Sequence, residues 1–147
     1  MGHADGFSLL ELIITLSLAS ILAGISVLSH RALRPSLDLG TATRQVVTDL
    51  KVTRMRAVSS NVNHRVVFRE GGNTYQSQYK NGNGYLDDGV AVALPRGIVI
   101  AACTAKDAAI SFRPRGNASS FGTVTIRNAN GDVRHIIVDI AGQVRAE

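Results

Sequence analysis

The sequence is short of several residue types, and each shortage narrows the class of protein to which it belongs. Its 147 residues include no tryptophan and a single cysteine, Cys103. One cysteine excludes an intrachain disulfide, and the apolar neighbours Ile100 to Ala102 indicate a buried thiol that packs as a small hydrophobic side chain. The sequence also contains no metal-ligand cluster, nucleophile elbow or phosphate-binding loop. It therefore predicts neither an enzyme nor a cofactor.

Acidic residues are also few, because 11 Asp and Glu stand against 16 Lys and Arg. Two of the acids, Asp5 and Glu11, precede residue 28, and every Lys and Arg follows it. The rest of the chain is therefore more positive than the +5 of the whole sequence. This excess favours polyanionic partners such as nucleic acid or anionic lipid, and it is equally typical of a basic solubilising surface.

What the sequence does contain is one long apolar run from Phe7 to Leu28, FSLLELIITLSLASILAGISVL. A helix over this run would be about 30 Å long, which is the thickness of the hydrocarbon core of a bilayer. Its one ionisable side chain is Glu11. A charge inside such a span costs about 2.5–3.5 kcal/mol, so a carboxylate there indicates a function. The run therefore predicts a single membrane span.

The residues that open this run form a specific pattern, in which Gly6 precedes Phe7 and Glu11 follows four residues later, in the string GFSLLELI. This string resembles the N-terminus of the type IV pilin superfamily. The resemblance implies cleavage between Gly6 and Phe7 by a prepilin peptidase, and N-methylation of the new Phe7 amine. It also implies that Glu11 pairs with the Phe7 amine of a neighbouring subunit, and opposite charges in hydrocarbon gain most by pairing. The alternative is an ordinary signal anchor that tolerates a Glu.

The next segment, Leu37 to Ser59, has apolar residues at helical spacing and is predicted to be the amphipathic half of a long helix. Pro35 interrupts the helix, kinks it or marks the start of its second part. The apolar positions are Leu39, Val46, Leu50 and Ala57, with Val47 and Met55 beside them. We expect the basic residues Arg44, Lys51 and Arg54 on the opposite face, which is either solvated or, as the weaker alternative, in contact with another subunit.

After Asn61 the pattern changes to that of β-strands, predicted at 64–70, 74–80, 89–93, 98–102 and 109–112. The first two form a hairpin whose three-residue connection is Gly71-Gly72-Asn73. The segment NGNGYLDDG, residues 81–89, has oxygen ligands at a spacing loosely like that of a calcium loop. A complete loop needs a further carboxylate, so a turn is the stronger prediction.

A second hairpin joins TVTIR to VRHIIVDI, and its register decides which face is buried. A two-residue turn, Asn130-Gly131, would pair Ile126 with His135. A three-residue loop, residues 129–131, instead places Val124, Ile126, Ile136, Val138 and Ile140 on one face. Because a one-residue slip moves every side chain to the other face, burial favours the three-residue loop, with Gly131 in the left-handed position. His135 then faces outward as a cross-strand partner of Thr125.

This C-terminal block resembles the FimT/GspH-type minor pilins, in which an S-F-x-P-x-G motif, an N-x-x-G turn and a closing G-R-x-R motif recur. The matching residues are Ser111-Phe112, Pro114, Gly116, the Asn128–Gly131 turn, Gly142 and Arg145, whereas Gln143 replaces the first arginine. In DNA-uptake members the closing motif contacts DNA. The resemblance therefore makes Gly142 and Arg145 candidate DNA-binding residues, with Arg113, Arg115, Arg127 and Arg134 adding charge for phosphate contacts. The alternative is that Arg145 ends an edge strand as a charged gatekeeper.

Together these patterns predict an α+β protein, in which a long N-terminal hydrophobic helix packs on a small antiparallel β domain. The expected organisation is a leader (1–6), a transmembrane and assembly helix (7–34), the amphipathic half of the helix (35–61) and a globular β domain (62–147). The resemblance implies a structural or priming minor pilin of a type IV pilus, with a possible role in DNA uptake. The alternative is the H-type minor pseudopilin of a type II secretion system.

The same resemblance supplies the expected partners and location. The partners would be other pilins, the prepilin peptidase, an inner-membrane assembly platform and, in the uptake case, double-stranded DNA. The protein would cross the inner membrane once, with its C-terminal domain in the periplasm, before it enters a pilus or pseudopilus. This orientation comes from the resemblance, because the leader MGHADG lacks the Lys or Arg that would indicate it from charge.

Overall fold

The computed structural model describes residues 8–147, and for residues 25–35 it describes the helical backbone but not the side chains. The chain divides into two compact units, Met1–Arg34 and Pro35–Glu147. Its elements in chain order are α1 (Leu9–Ser60), β1 (His64–Phe68), β2 (Thr74–Asn81), β3 (Gly84–Asp87), β4 (Val92–Ala93), β5 (Val99–Cys103), a short 3-10 helix (Lys106–Ala108), β6 (Ala109–Phe112), β7 (Ala118–Ser120), β8 (Gly122–Arg127), β9 (Val133–Val138) and β10 (Val144–Ala146).

The helix α1 is continuous from Leu9 to Ser60, so Pro35 does not end it. It ends where Asn61 takes the left-handed conformation, with φ 55°. Asparagine tolerates this conformation better than most residues, which suits it to the position after a helix. The Ser60 hydroxyl donates to the Arg56 carbonyl in the last turn.

One face of the second half of α1 is buried, as its apolar spacing predicts. Leu39, Val46, Leu50 and Ala57 are all at most 4% exposed and belong to the core of the domain. The prediction was wrong for Met55, which is 64% exposed. Met55 lies two residues before Ala57, and positions two apart on a helix face different directions.

The strands form two antiparallel sheets, which confirms the predicted α+β class. The first sheet has the order β3-β2-β1-β6-β7, with β4 also paired to β2, and the second has the order β10-β9-β8-β5. The core lies between α1 and the two sheets. It includes Val66, Phe68, Tyr75, Ile98, Ile100, Ile110, Phe112, Val124, Ile126, Ile136 and Val138.

The β1–β2 hairpin differs from its prediction by one residue. Phe68 pairs with Tyr75 and the Arg69 amide donates to the Thr74 carbonyl, so the connection is the four residues 70–73 and not three. The reason lies in β5, which bonds to this loop. The Gly71 amide donates to the Ile100 carbonyl and the Ile100 amide donates to the Gly72 carbonyl, both at 2.8 Å. These bonds join the loop between two inner strands of the first sheet to β5, an edge strand of the second sheet.

The β8–β9 hairpin has the register that burial favours. Val124 pairs with Ile136 and Thr125 with His135, the loop comprises residues 129–131, and Gly131 has φ 91°. The Thr125 hydroxyl and the His135 Nδ1 are 3.1 Å apart. Ile140 is the exception, since β9 ends at Val138 and leaves Ile140 64% exposed in the following turn.

Two short strands, β3 and β7, were not predicted, whereas β10 carries Arg145 at the edge of the second sheet, as the edge-strand alternative expects. The expectation of a turn over residues 81–89 was therefore wrong for residues 84–87, which form β3. The turn itself is two residues long, because Asn81 pairs with Gly84, and Gly82 has φ 58°. Strands of three or four residues are too short to show an alternating pattern in the sequence.

Candidate functional site

The first described part of α1 presents an exposed apolar surface. Every described side chain from Ser8 to Gly24 is exposed, and the large hydrophobic ones are 54–76% exposed: Leu9, Leu10, Leu12, Ile13, Ile14, Leu16, Leu18, Ile21 and Leu22. Glu11 lies in the first turn of the helix. Gly6 and Phe7, the predicted processing residues, lie outside the described residues.

Among the residues whose side chains are described, no helical stretch is both long enough and apolar enough to cross a membrane. The predicted span, Phe7 to Leu28, begins and ends outside these residues.

The two C-terminal sequence motifs meet at one junction, formed by the glycines that end the S-F-x-P-x-G motif and open the closing motif. Gly116 has φ 81° and Gly142 has φ 79°, so both take the left-handed conformation that favours glycine. A Cβ on Gly142 would collide with the Gly116 carbonyl oxygen. The motifs therefore require glycine here because two backbone segments approach each other closely.

Arg54 of α1 completes this junction. Its Nε donates to the Gly116 carbonyl oxygen at 2.7 Å, and its side chain is partly buried. The expectation that Arg54 lies on a solvated face was therefore wrong. The loop that Arg54 contacts comes more than fifty residues later in the sequence, and helical spacing carries no information about it.

The turn before the junction is fixed by Asp139. Its Oδ1 accepts a hydrogen bond from the Gln143 amide at 2.8 Å, and its carbonyl accepts one from the Gly142 amide at 2.9 Å. The Ala118 amide donates to the Ile140 carbonyl at 3.1 Å, which ties the start of β7 to the same turn. The turn that leads into the closing motif is therefore hydrogen-bonded to a strand of the first sheet.

The structure distributes the six candidate DNA-binding residues over three places. Arg113 and Arg115 are exposed and line a pocket together with Asn61, Asn63 and Asn117. Because Arg115 precedes Gly116, this loop lies beside Gly142, so the junction brings three of the six residues together.

Arg145 is exposed on β10, where it pairs with Ile137. Residues directly opposite in a sheet share a face, and side chains alternate along a strand. Arg145 therefore lies on the same outer face of the second sheet as Arg127. Arg134 lies on the other side of β9, in line with the buried Ile136, and is exposed only because β9 begins there. The sheet does not gather these three arginines into one surface.

A polar cluster at the end of α1 was missed in the sequence. The Asp88 Oδ2 accepts a hydrogen bond from Arg56 Nη1 at 2.6 Å and lies 3.7 Å from His64 Nδ1. His64 is 7% exposed, and its Nε2 is 3.1 Å from the Ser60 hydroxyl. Burial lowers the pKa of His64, as does Arg56, while Asp88 has an opposing effect. The cluster ties the loop after β3 to the helix, although no local signal links its members in the sequence.

A second buried polar pair holds α1 on the first sheet. The Tyr75 hydroxyl donates to the Asp49 carboxylate at 2.5 Å, and Tyr75 is 2% exposed. Burial raises the pKa of Tyr75, and the neighbouring Asp49 raises it further. Both clusters act on the packing of the helix. In the part of the chain that the structure describes, no three metal-ligating side chains lie close enough to hold an ion.

Two models of known protein families match this chain. A family model described as type II transport protein GspH matches residues 42–142, which is more than half of the chain. The chain belongs to the GspH family. A second model, the prokaryotic N-terminal methylation motif, matches residues 1–27. These matches confirm the resemblance to pilins and to GspH-type proteins that the two ends of the sequence indicate.

Solved structures with the same fold include a minor pseudopilin and a minor pilin. The minor pseudopilin EpsH from the type 2 secretion system of Vibrio cholerae has a TM-score of 0.61 at 10% identity, covering 75% of this chain and 96% of its own. The type IV minor pilin FimU of Pseudomonas aeruginosa has a TM-score of 0.55 at 18% identity, covering 76% of this chain and 90% of its own. A comparison with curated proteins gives no significant match.

The chain is therefore a GspH-family protein with an N-terminal methylation motif, and it shares its fold with a minor pseudopilin and a minor pilin. The likenesses to EpsH and FimU show a shared fold, because the identities are below one in four residues.

Proposed function

We propose that this chain is a minor filament subunit held in the inner membrane by its N-terminal helix, with the β domain in the periplasm, until an assembly platform inserts it into a filament. The observation that carries the proposal is the exposed apolar surface from Leu9 to Leu22. Exposed apolar patches of this kind mark membrane or protein interaction sites. The match to the N-terminal methylation motif supports the same function.

Processing and assembly follow from the first eleven residues. A prepilin peptidase cleaves between Gly6 and Phe7, and the new Phe7 amine is methylated. Glu11 then pairs with the Phe7 amine of a neighbouring subunit. The support for this pairing is that Glu11 is exposed in the first turn of an apolar helix, where a lone carboxylate in hydrocarbon is costly and an amine compensates for it.

Two substitutions test this proposal in a host that makes the full set of subunits. Gly6→Ala leaves unprocessed precursor on an immunoblot, because a peptidase cleft has to accept the backbone closely, whereas Gly2→Ala in the same leader is processed normally. Glu11→Ala is cleaved but absent from the sheared filament fraction, and Thr15→Ala, one turn further along, is incorporated. Normal processing of Gly6→Ala or incorporation of Glu11→Ala would contradict the proposal.

The first candidate machine is a type II secretion system, in which this chain is the H-type minor pseudopilin. The support is the family model described as type II transport protein GspH. The second candidate is a type IV pilus, in which the chain primes assembly, and the similarity to FimU supports it. Deletion of the gene separates the two, because the first predicts loss of protein secretion with normal pili and the second predicts the reverse.

A role in DNA uptake is a second candidate function within the pilus alternative. The observation that favours it is the junction, which sets the loop carrying Arg113 and Arg115 beside Gly142. Phosphate contacts from such arginines bind without reading sequence and weaken with salt. Arg127, Arg134 and Arg145 lie elsewhere, on the second sheet, and would add only to the overall positive charge of the domain.

A mobility-shift titration of residues 35–147 with double-stranded DNA tests this role. Binding at low salt that weakens at physiological salt, and that Arg115→Ala reduces, is the expected result. Arg96→Ala, which removes an exposed arginine outside the candidate group, is the matched control. Absence of binding at low salt, or an equal effect of the two substitutions, would contradict DNA binding and leave the filament function intact.

A further inference from the structure

The second half of α1 presents a continuous exposed surface, which the loop with Arg115 and Gly116 borders only at Met55 and Val58. Seven residues at alternating intervals of four and three are all exposed, and we call them the basic stripe: Leu37, Thr41, Arg44, Thr48, Lys51, Met55 and Val58. Such spacing keeps side chains on one side of a helix. From first to last residue the stripe is about 32 Å long at 1.5 Å per residue.

The opposite side of the same helix segment packs against the β domain. Leu39, Val46, Leu50 and Ala57 are buried against the sheets, and Asp49 binds Tyr75. The basic stripe is therefore the side of the helix that remains available to another molecule. Its spacing is that of the interface positions of paired helices, in which residues of one helix enter the gaps of the next.

The charges of the stripe are all of one sign. Arg44 and Lys51 lie seven residues apart near its middle, and neither forms a salt bridge in the part of the chain that the structure describes. The stripe contains no acid. Its ends are apolar, with Leu37 66%, Met55 64% and Val58 51% exposed.

This distribution disfavours a second copy of the chain as the occupant. Pairing of the stripe with itself, parallel or antiparallel, would bring Arg44 and Lys51 of one copy against the same bases of the other. Like charges across an interface are destabilising and act against the wrong partner. A partner helix with carboxylates opposite the two bases would instead be attracted.

We propose that the basic stripe is the docking face for a helix of a different filament subunit, one that carries two carboxylates about seven residues apart between apolar ends. This inference rests on the proposed function and adds the chemistry of the partner to it.

The experiment uses the full-length chain in cells that produce the whole set of subunits. A photo-crosslinking phenylalanine analogue replaces Thr48, between the two bases. The expected product is an adduct with a different subunit of the filament. Arg44→Glu with Lys51→Glu reduces its yield about tenfold or more, since reversed charges repel the partner's carboxylates. Lysine substitution of those carboxylates in the captured partner restores the yield.

The matched control is Arg96→Glu with Lys106→Glu, which reverses the same two residue types at exposed positions outside the stripe and leaves the yield unchanged. An adduct of twice the chain's own mass would overturn the inference. A yield that the stripe reversal does not change would overturn it as well, and so would absence of an adduct when the protein is present in the filament fraction. If the unsubstituted protein never enters that fraction, the proposed function fails together with the inference.

Discussion

The contact between Gly116 and Gly142 allows a direct test of why one motif ends with glycine and the other begins with it. In Gly142→Ala the alanine has to keep the left-handed backbone conformation of the glycine, which costs about 1 kcal/mol. Its methyl group also collides with the Gly116 carbonyl oxygen, and an Arg54 side-chain atom lies 3.2 Å from the same position. The Gly116 carbonyl must then turn away from Arg54, and a lost hydrogen bond to a charged group costs about 2 kcal/mol.

The expected destabilisation of Gly142→Ala is therefore about 3 kcal/mol. For a domain of this size that lowers the melting temperature by about 12 °C. The control is Gly131→Ala, because Gly131 has φ 91° and no atom within 4 Å of a Cβ. It incurs only the conformational cost, about 1 kcal/mol or about 4 °C.

The assay is thermal unfolding of residues 35–147 followed by circular dichroism, since the sequence has no tryptophan for fluorescence. A double-mutant cycle with Arg54→Ala adds a second constraint. Once Arg54 is absent, Gly142→Ala should cost at least about 1 kcal/mol less than in the unsubstituted domain. Equal melting temperatures for Gly142→Ala and Gly131→Ala, or an unchanged cost without Arg54, would refute the role of this junction.

Two further predictions concern the polar clusters under α1. Tyr75→Phe should destabilise the domain by about 1–2 kcal/mol in urea unfolding, because Asp49 loses a buried donor, while Tyr79→Phe should have a smaller effect; equal effects would contradict this. The folded-state pKa of His64 lies below its ordinary value of 6.5, so the unfolded chain takes up a proton first on acidification, and stability should fall as the pH drops through 6.5. His64→Gln should flatten the melting temperature between about pH 7.5 and 5.5, and His135→Gln should not; parallel curves would show that His64 is not the responsible group.

Much of the fold could be predicted wherever one arrangement buries more apolar side chains than the alternative arrangement does. The register of β8 and β9 is an example, since only the three-residue loop places Val124, Ile126 and Ile136 on a common face. The buried side of α1 follows from the same reasoning. These predictions need only local spacing and the rule that apolar faces turn inward.

The remainder depends on contacts between distant segments. The β1–β2 loop is one residue longer than predicted because Gly71 and Gly72 bond to Ile100. Arg54 is partly buried because the loop ending at Gly116 passes over it. Charge and spacing near a residue do not reveal such partners. The candidate site was therefore predictable as a set of motifs, whereas their meeting at Gly142 was not.

The bonds between the β1–β2 loop and β5 have a consequence for how the domain opens. The Ile100 N–H and C=O both bond to the β1–β2 loop, so β5 is held by β8 on one side and by the first hairpin on the other. The two sheets should therefore behave as one cooperative unit in amide hydrogen exchange, with the Ile100 and Gly71 amides exchanging only through global unfolding. A domain that opens in this all-or-none way keeps the edge of β5 at Ile100 bonded to its own loop, so this edge is not free to pair with a strand of another chain.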